Sequence, residues 1–398
     1  MRVVARQSSS DVDYCGVVVH AGSRNESTGD YGLAHFVEHT IFKGTSRRRP
    51  YHIINRMEAV GGELNAYTTK EETVIYSIFQ HGHFLRAVEL IADLVINSQF
   101  PTAELERERE VVASEIDSYL DSPSEAIYDD FEDIVFAGTP LGHNILGTKE
   151  TLDTFTSHSA RGFVEHFYTP ERMVFFYYGS LDPQRVARAV ERYFAGIELR
   201  SANHTATPDI VFTPETPVIC QRRSIDSHQA HTIIGTTLPG HRDSRRYALL
   251  LLTNILGGPG MNALLNVSLR EKRGLVYTIE ASSALFPDIG VMQIYFGSDQ
   301  DDINRCQRLV FNQIQRLIDN RLTQRQLDNA RRQFLGQIAI GADNAAELAI
   351  TTGKSALFFD HVSTFEEIAE RYNALTTDDI RDAATLLDPS RLSTISFV

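Results

Sequence analysis

The sequence predicts an α+β fold of two similar halves, each a mainly antiparallel sheet covered by helices. Three observations predict it. Strand-like runs rich in Val, Ile, Tyr and Phe alternate with longer helical runs, and the same order of elements occurs twice. Local segments echo each other at a near-constant offset: Thr169-Pro170-Glu171-Arg172-Met173 resembles Asp388-Pro389-Ser390-Arg391-Leu392, 219 positions later. A stretch from Ser201 to Pro217, holding Pro208, Pro214 and Pro217, reads as an interdomain linker. The expected domains are therefore 1–200 and 218–398, joined by 201–217.

The first half opens with strands near Val3–Arg6 and Tyr14–Ala21. Helices follow at about 33–43 and 51–60, then a two-part strand over 63–80. Helices are expected at about 83–98, 102–120 and 124–137. The helix at 102–120 is well bounded: Pro101 and Thr102 start it, acidic residues fill its first turns, and Asp121-Ser122-Pro123 stop it. Its apolar stripe is Leu105, Val112, Ile116 and Tyr119. A helix near 152–167, strand Met173–Gly179 and a helix near 183–195 close the half.

The second half repeats the plan. Strand-like Val218–Arg222 and Thr232–Thr237 lead to helices near 243–256 and 261–273, and Gly274 can end the latter in a left-handed cap. A strand over 275–284 turns at Pro287-Asp288 and returns as Val291–Phe296. Helices near 301–319, 323–341, 344–358, 363–373 and 377–387 precede a last strand, Leu392–Val398. The helix at 102–120 is echoed near 323–341, and Gln337 falls near the counterpart of Glu115. Leu256-Gly257-Gly258 falls near the counterpart of His35 and carries no histidine pair.

Composition bounds the function. A chain of 398 residues with 42% hydrophobic content suits a globular protein of two or more domains. No run of eighteen apolar residues is present, so no membrane-spanning helix is expected. The segment Met1-Arg2-Val3-Val4-Ala5-Arg6-Gln7 lacks a signal-peptide core and reads as a first strand. Cys15, Cys220 and Cys306 are far apart and without metal-ligand spacing, which suits buried reduced thiols. A net charge of −14 argues against nucleic acid as a partner and would favour peptides carrying Lys or Arg, or simply aid solubility. Arg47-Arg48-Arg49 is too short to read as a nucleic-acid patch.

The chemistry-bearing motif is His35-Phe36-Val37-Glu38-His39. It has the order His-x-x-Glu-His, the reverse of the common zinc-protease order. On a helix, His35 and His39 project from one face, where two imidazoles can bind one Zn²⁺. Glu38 sits at the edge of that face, where it can reach a metal-bound water without ligating the metal, as the general base of peptide hydrolysis must. A hydrolytic zinc site needs a third protein ligand and an open fourth position. Glu108 and Glu115, seven apart on the helix at 102–120, share one face; taken singly, either reads better as part of a solvated helix face. His228 and His231, three apart before a strand-like run, read as structural.

With Glu115 preceded by Glu108, the pentapeptide resembles the inverzincin motif of the pitrilysin/insulinase metallopeptidases, which include insulysin and mitochondrial processing peptidase. Gly62-Glu63-Leu64-Asn65-Ala66-Tyr67-Thr68-Thr69-Lys70-Glu71 resembles the family's Asn-Ala-Tyr-Thr strand. Leu269-Arg270-Glu271-Lys272-Arg273-Gly274-Leu275-Val276-Tyr277 resembles its Arg/Tyr segment, and Gly257-Gly258 fits as well. The likeness spans essentially the whole chain. One departure is Gly257–Ala263, which lacks the Ser-Arg that many relatives carry after their glycines.

The resemblance implies that His35, His39 and Glu115 bind one zinc ion per chain. It makes Glu38 the general base and Glu108 the partner that orients a ligand histidine. Asn65, Ala66 and Tyr67 would contact the substrate backbone by strand addition. Tyr277 would donate to the developing oxyanion, and Arg270 would position the substrate. It further implies a zinc endopeptidase acting on peptides or unfolded segments inside a chamber. Coexistence of the zinc motif with Arg270 and Tyr277 favours a homodimer over a heterodimer. Two other readings stay open: a processing-peptidase subunit needing a distinct partner, and a non-enzymatic scaffold that kept zinc, against which the intact Glu38 argues. A bacterial cytoplasmic location is expected, with a mature organellar form the alternative.

Overall fold

The computed structural model describes residues 1–197, 209–213, 218–224 and 228–398. In chain order the first half holds β1 (Arg2–Gln7), β2 (Val12–Val19), α1 (Leu33–Thr40), α2 (Pro50–Glu58), β3 (Glu63–Thr68), β4 (Thr73–Gln80), α3 (Phe84–Asn97), α4 (Thr102–Leu120), α5 (Pro123–Val135), α6 (Lys149–Leu152), α7 (Ser157–Phe167), β5 (Met173–Gly179) and α8 (Pro183–Tyr193). The second holds β6 (Cys220–Arg223), β7 (Ala230–Pro239), α9 (Arg246–Gly257), a π-helical stretch Asn266–Glu271, β8 (Val276–Leu285), β9 (Ile289–Ser298), α10 (Ile303–Asp319), α11 (Gln324–Gly341), α12 (Ala345–Phe359), α13 (Phe365–Ala374), α14 (Thr377–Thr385) and β10 (Ser393–Phe397).

The expected α+β class is borne out. The first sheet has the order β1-β5-β2-β4-β3 and the second β6-β10-β7-β9-β8, one plan used twice. In each, the first-named pair is parallel and the rest antiparallel. Two details differ from the sequence reading. The run 152–167 is two helices, because the Thr156 hydroxyl accepts the Ser159 N–H and starts a new one. The run 261–273 is π-helical over Asn266–Glu271.

The compact units do not follow a contiguous division of the chain. The first contains Met1–Ser118, a stretch beginning at His143, and Gly341–Ser363; the second contains Tyr119–Gly142, a stretch after the first unit's second segment that ends at Ile340, and Thr364–Val398. The cause lies in the strands. Val17, Val18 and Val19 are all fully buried, so both faces of β2 need cover. Val17 and Val19 face the main core of α1, α3 and α4, whereas Val18 joins Val74, Phe176 and Ala349 of α12. Gly353 brings α12 close, since a Cβ there would lie 2.8 Å from the Phe176 ring and 2.9 Å from Val18. In the second unit, α5 covers the corresponding face: Ile127 and Phe131 pack with Ile233, Val291 and Ile395. Each half of the sequence thus supplies one helix to the other half's sheet. Of the linker expected at 201–217, only 209–213 lie among the described residues, and there Ile210 and Phe212 pack on the α5 cluster.

Candidate metal centre

Helix α1 carries His35, Glu38 and His39, with His35 buried and His39 half-buried. The two imidazole rings stand 4.5 Å apart between centroids, as a spacing of four on one helix requires. Helix α4 supplies both glutamates. Glu115 Oε1 lies 3.7 Å from His35 Nε2, and Oε2 lies 3.2 Å from His39 Nε2. Glu108, one helix face but two turns earlier, meets the other side of the same ring, with Oε1 3.1 Å from His39 Nδ1. That contact fits a ring proton on Nδ1, the tautomer that would offer Nε2 to a metal ion held with Glu115. Lys43 Nζ holds the second oxygen, Oε2, of Glu108 at 2.5 Å. Sequence reasoning passed over Lys43; its only local signal is a spacing of four from His39.

Burial, with the neighbouring His39 charge as a lesser cause, pushes the His35 pKa down to about 3, so its ring is neutral at physiological pH. A neutral imidazole is the form a metal needs. Among the described residues, His35, His39 and Glu115 are the one group of three His, Cys, Asp or Glu side chains whose ligand atoms all lie within 4.8 Å of one another. Two imidazoles and a carboxylate are the donor set of one class of catalytic zinc site, which keeps its fourth position for water or substrate. The residues present fit the ion.

Glu38 is not one of those three, although His39 and Glu115 both act on its carboxyl. Burial pushes its carboxyl up, opposed by the nearby His39 and by hydrogen bonds from the Thr68 hydroxyl and N–H. Thr68 ends β3, so the edge strand of the first sheet lies against the helix that bears the motif. Asn65 on that strand is exposed, and Ala66 and Tyr67 are half-buried.

Arg270 and Tyr277 belong to the second unit. Arg270 is exposed in the π-helical stretch and lines a cleft of about 260 Å³ with Gly257, Gly258 and Glu280. Gly274 follows with φ +60°, the left-handed cap expected of it, and its N–H bonds the Arg270 carbonyl at 2.8 Å. Tyr277, 63% exposed, is the extra residue where the β8–β9 register shifts between Val276 and Thr278. Such a bulge re-aims a side chain out of the ladder. Its hydroxyl lies 3.3 Å from Asp299 Oδ1. His231 is structural, as read: it is buried and bonded through Nδ1 to the Tyr295 hydroxyl at 2.8 Å.

The second unit carries a different polar pair. Between α9 and α11, Asn254 Nδ2 donates to Gln337 Oε1 at 2.7 Å. This neutral carboxamide pair joins those helices.

Comparison with known proteins decides the family. Residues 2–149 match the model of the insulinase family, peptidase family M16, and residues 154–334 match the M16 inactive domain. The chain is 30% identical over 372 residues to the uncharacterized zinc protease YmxG of Bacillus subtilis, covering 94% of this chain and 89% of that one. The chain belongs to peptidase family M16. It is a metalloprotease of that family, and the resemblance read from its motifs is borne out.

Other M16 relatives are as similar. An uncharacterized zinc protease of Rickettsia bellii is 30% identical, covering 95% of this chain and 90% of its own. Another, Rv2782c of Mycobacterium tuberculosis, is 30% identical, covering 93% and 84%. The M16 fold is shared with a peptidase M16 inactive domain from Pseudomonas fluorescens (TM-score 0.91, 18% identity, covering 99% and 94%) and a protease from Helicobacter pylori (TM-score 0.90, 20% identity, covering 99% and 96%).

Proposed function

We propose that this protein is a zinc-dependent endopeptidase that hydrolyses peptides or unfolded segments, working as a cytoplasmic homodimer that encloses a chamber. The observation that carries the reading is the convergence of His35, His39 and Glu115 beside a carboxylate, Glu38, that stays outside the cluster. His35, His39 and Glu115 would hold one zinc ion per chain, and the relatives' names as zinc proteases support that metal. Bound there, zinc supplies a Lewis acid that acidifies water and polarises a carbonyl. Glu38 takes the proton of the attacking water and returns it to the leaving amine. Its raised affinity for a proton, from burial, suits both steps.

Substrate would pair along β3, whose outer edge carries no further strand among the described residues. Asn65, Ala66 and Tyr67 would meet it there. Main-chain hydrogen bonding supplies affinity with little demand on sequence. Tyr277 is assigned the hydrogen bond to the developing oxyanion and Arg270 the positioning of the substrate. No helix among the described residues is long and apolar enough to cross a membrane.

The test is cleavage of an unstructured basic peptide by the wild type and by Glu38→Gln, with zinc measured on both. Cleavage by the wild type alone, at equal zinc near one per chain, supports the reading. Equal zinc with cleavage by neither refutes a self-sufficient homodimer.

A further inference from the structure

Helix α1 has no cap of its own. Its N-cap position is Gly32, held at φ 99° and ψ −4°, a backbone that offers no side-chain oxygen to the first turn. Two N–H groups at its start are instead taken by Glu26, which precedes the helix in sequence, while the Leu33 N–H bonds the Asp30 carbonyl. Its Oε2 accepts the Gly32 N–H at 2.9 Å and its Oε1 the Ala34 N–H at 2.7 Å. Ala34 is the residue before His35.

Glu26 is fully buried, and a third group orients it: His143 Nε2 lies 3.0 Å from Oε2. His143 is itself fixed, with its ring stacked on Tyr31 at 3.8 Å and 10°. Its carbonyl accepts from Lys70 Nζ. Backbone contacts leave little play, since a Cβ on Gly147 would lie 2.1 Å from the Tyr31 carbonyl and one on Gly32 would lie 2.6 Å from that of Leu146.

The segment bearing Glu26 is also bonded to the β3–β4 hairpin. Ser23 N–H bonds the Thr69 carbonyl at 3.1 Å and Arg24 N–H the Lys70 carbonyl at 2.9 Å. The Arg24 guanidinium pairs with Glu71. Glu26 therefore joins the helix with the His-x-x-Glu-His motif to a segment, and to a histidine, that are both bonded to the β3–β4 hairpin.

We propose that Glu26, held by His143, is a positioning residue that sets helix α1 against the β3–β4 hairpin and so places His35, His39 and Glu38 for metal binding and proton transfer. This rests on the reading of His35 and His39 as zinc ligands. A local Ser or Asp cap would stabilise the helix equally well, but it would not tie the helix to the hairpin.

The experiment measures zinc affinity by competition with a chromophoric chelator on the full chain. Glu26→Gln leaves one acceptor oxygen and turns an amide N–H₂ toward the other backbone N–H. It is expected to weaken zinc binding about tenfold or more, with kcat falling alongside. Asp182→Ala is the control: it removes the side chain that caps α8 by accepting the Gln184 N–H at 2.8 Å. It should lower the melting temperature and leave zinc affinity unchanged. His143→Phe keeps a ring to stack on Tyr31 but loses the bond to Glu26, and should weaken zinc binding to a smaller extent.

Wild-type zinc affinity in Glu26→Gln overturns the proposal; if that variant does not fold, wild-type affinity in His143→Phe overturns it. A wild type whose zinc is untouched by His39→Gln refutes the metal assignment instead, a separate outcome.

Discussion

Lys43 and Glu108 form an ion pair that reaches the candidate metal centre through His39. Lys43 Nζ sits 2.5 Å from Glu108 Oε2, while the other oxygen of that carboxylate is 3.1 Å from His39 Nδ1. The cation holds the carboxylate in place, and the carboxylate in turn orients the His39 ring through Nδ1. Lys43→Met should therefore weaken zinc binding about tenfold, and Glu108→Gln by at least as much. Chelator competition checks both. Unchanged affinity in Lys43→Met would show that Glu108 needs no such anchor.

Glu38→Gln should retain zinc and lose about two to four orders of magnitude in kcat, the usual contribution of a general base. Single-turnover cleavage of a fluorogenic peptide, alongside metal analysis, measures it. Cleavage within a few-fold of the wild type would assign the proton transfer elsewhere.

Tyr277→Phe should lower kcat by about 10²-fold if its hydroxyl stabilises the oxyanion. The side chain is 63% exposed, so the melting temperature should hold. Kinetics with an unchanged kcat would return Tyr277 to an ordinary surface role.

Helix α12 should be sensitive to bulk at one position. A Cβ on Gly353 already meets Phe176 at 2.8 Å and Val18 at 2.9 Å, so Gly353→Val forces the helix off the sheet. The cost should be about 1–3 kcal/mol, as for other overpacked cores. Urea unfolding checks it, and a variant as stable as the wild type would mean that the helix shifts freely.

The buried pair Arg24–Glu71 predicts an acid-dependent stability. Burial pushes the Glu71 carboxyl up, but the hydrogen bond from His20 and the Arg24 guanidinium outweigh it and hold the pKa below the ordinary value. With the folded pKa depressed, the unfolded chain binds the proton first as pH falls. The stabilisation is present at neutral pH and is lost as pH falls through and below the ordinary carboxylate range. Glu71→Gln should flatten that part of the pH–stability curve and cost about 3 kcal/mol at neutral pH. Urea midpoints at a series of pH values measure both; a curve parallel to the wild type would contradict the pairing.

Much of the fold was legible because its signals are local. A spacing of four places two imidazoles on one helix face, Pro101-Thr102 and Asp121-Ser122-Pro123 bound α4, and Gly274 announces a left-handed cap. The same reasoning missed the break at Thr156, where a short side chain competes with the backbone for one N–H. It also missed the register shift at Tyr277, since a bulge is defined by the partner strand β9 and not by β8 alone.

The sequence by itself determined the pieces: the order of elements, the duplication, the motif face on α1 and the pair of glutamates on α4. Tertiary structure alone decided how those pieces meet. It turned Glu115 toward the Nε2 atoms and Glu108 toward Nδ1, brought in Lys43, and capped α1 with Glu26 and His143 across 117 positions of sequence. It also set α5 and α12 on each other's sheets. The physical reason is the range of the forces. Helical spacing and capping act within a few residues, whereas the pairing of buried charges and the covering of both faces of a sheet depend on which surfaces the folded chain brings together.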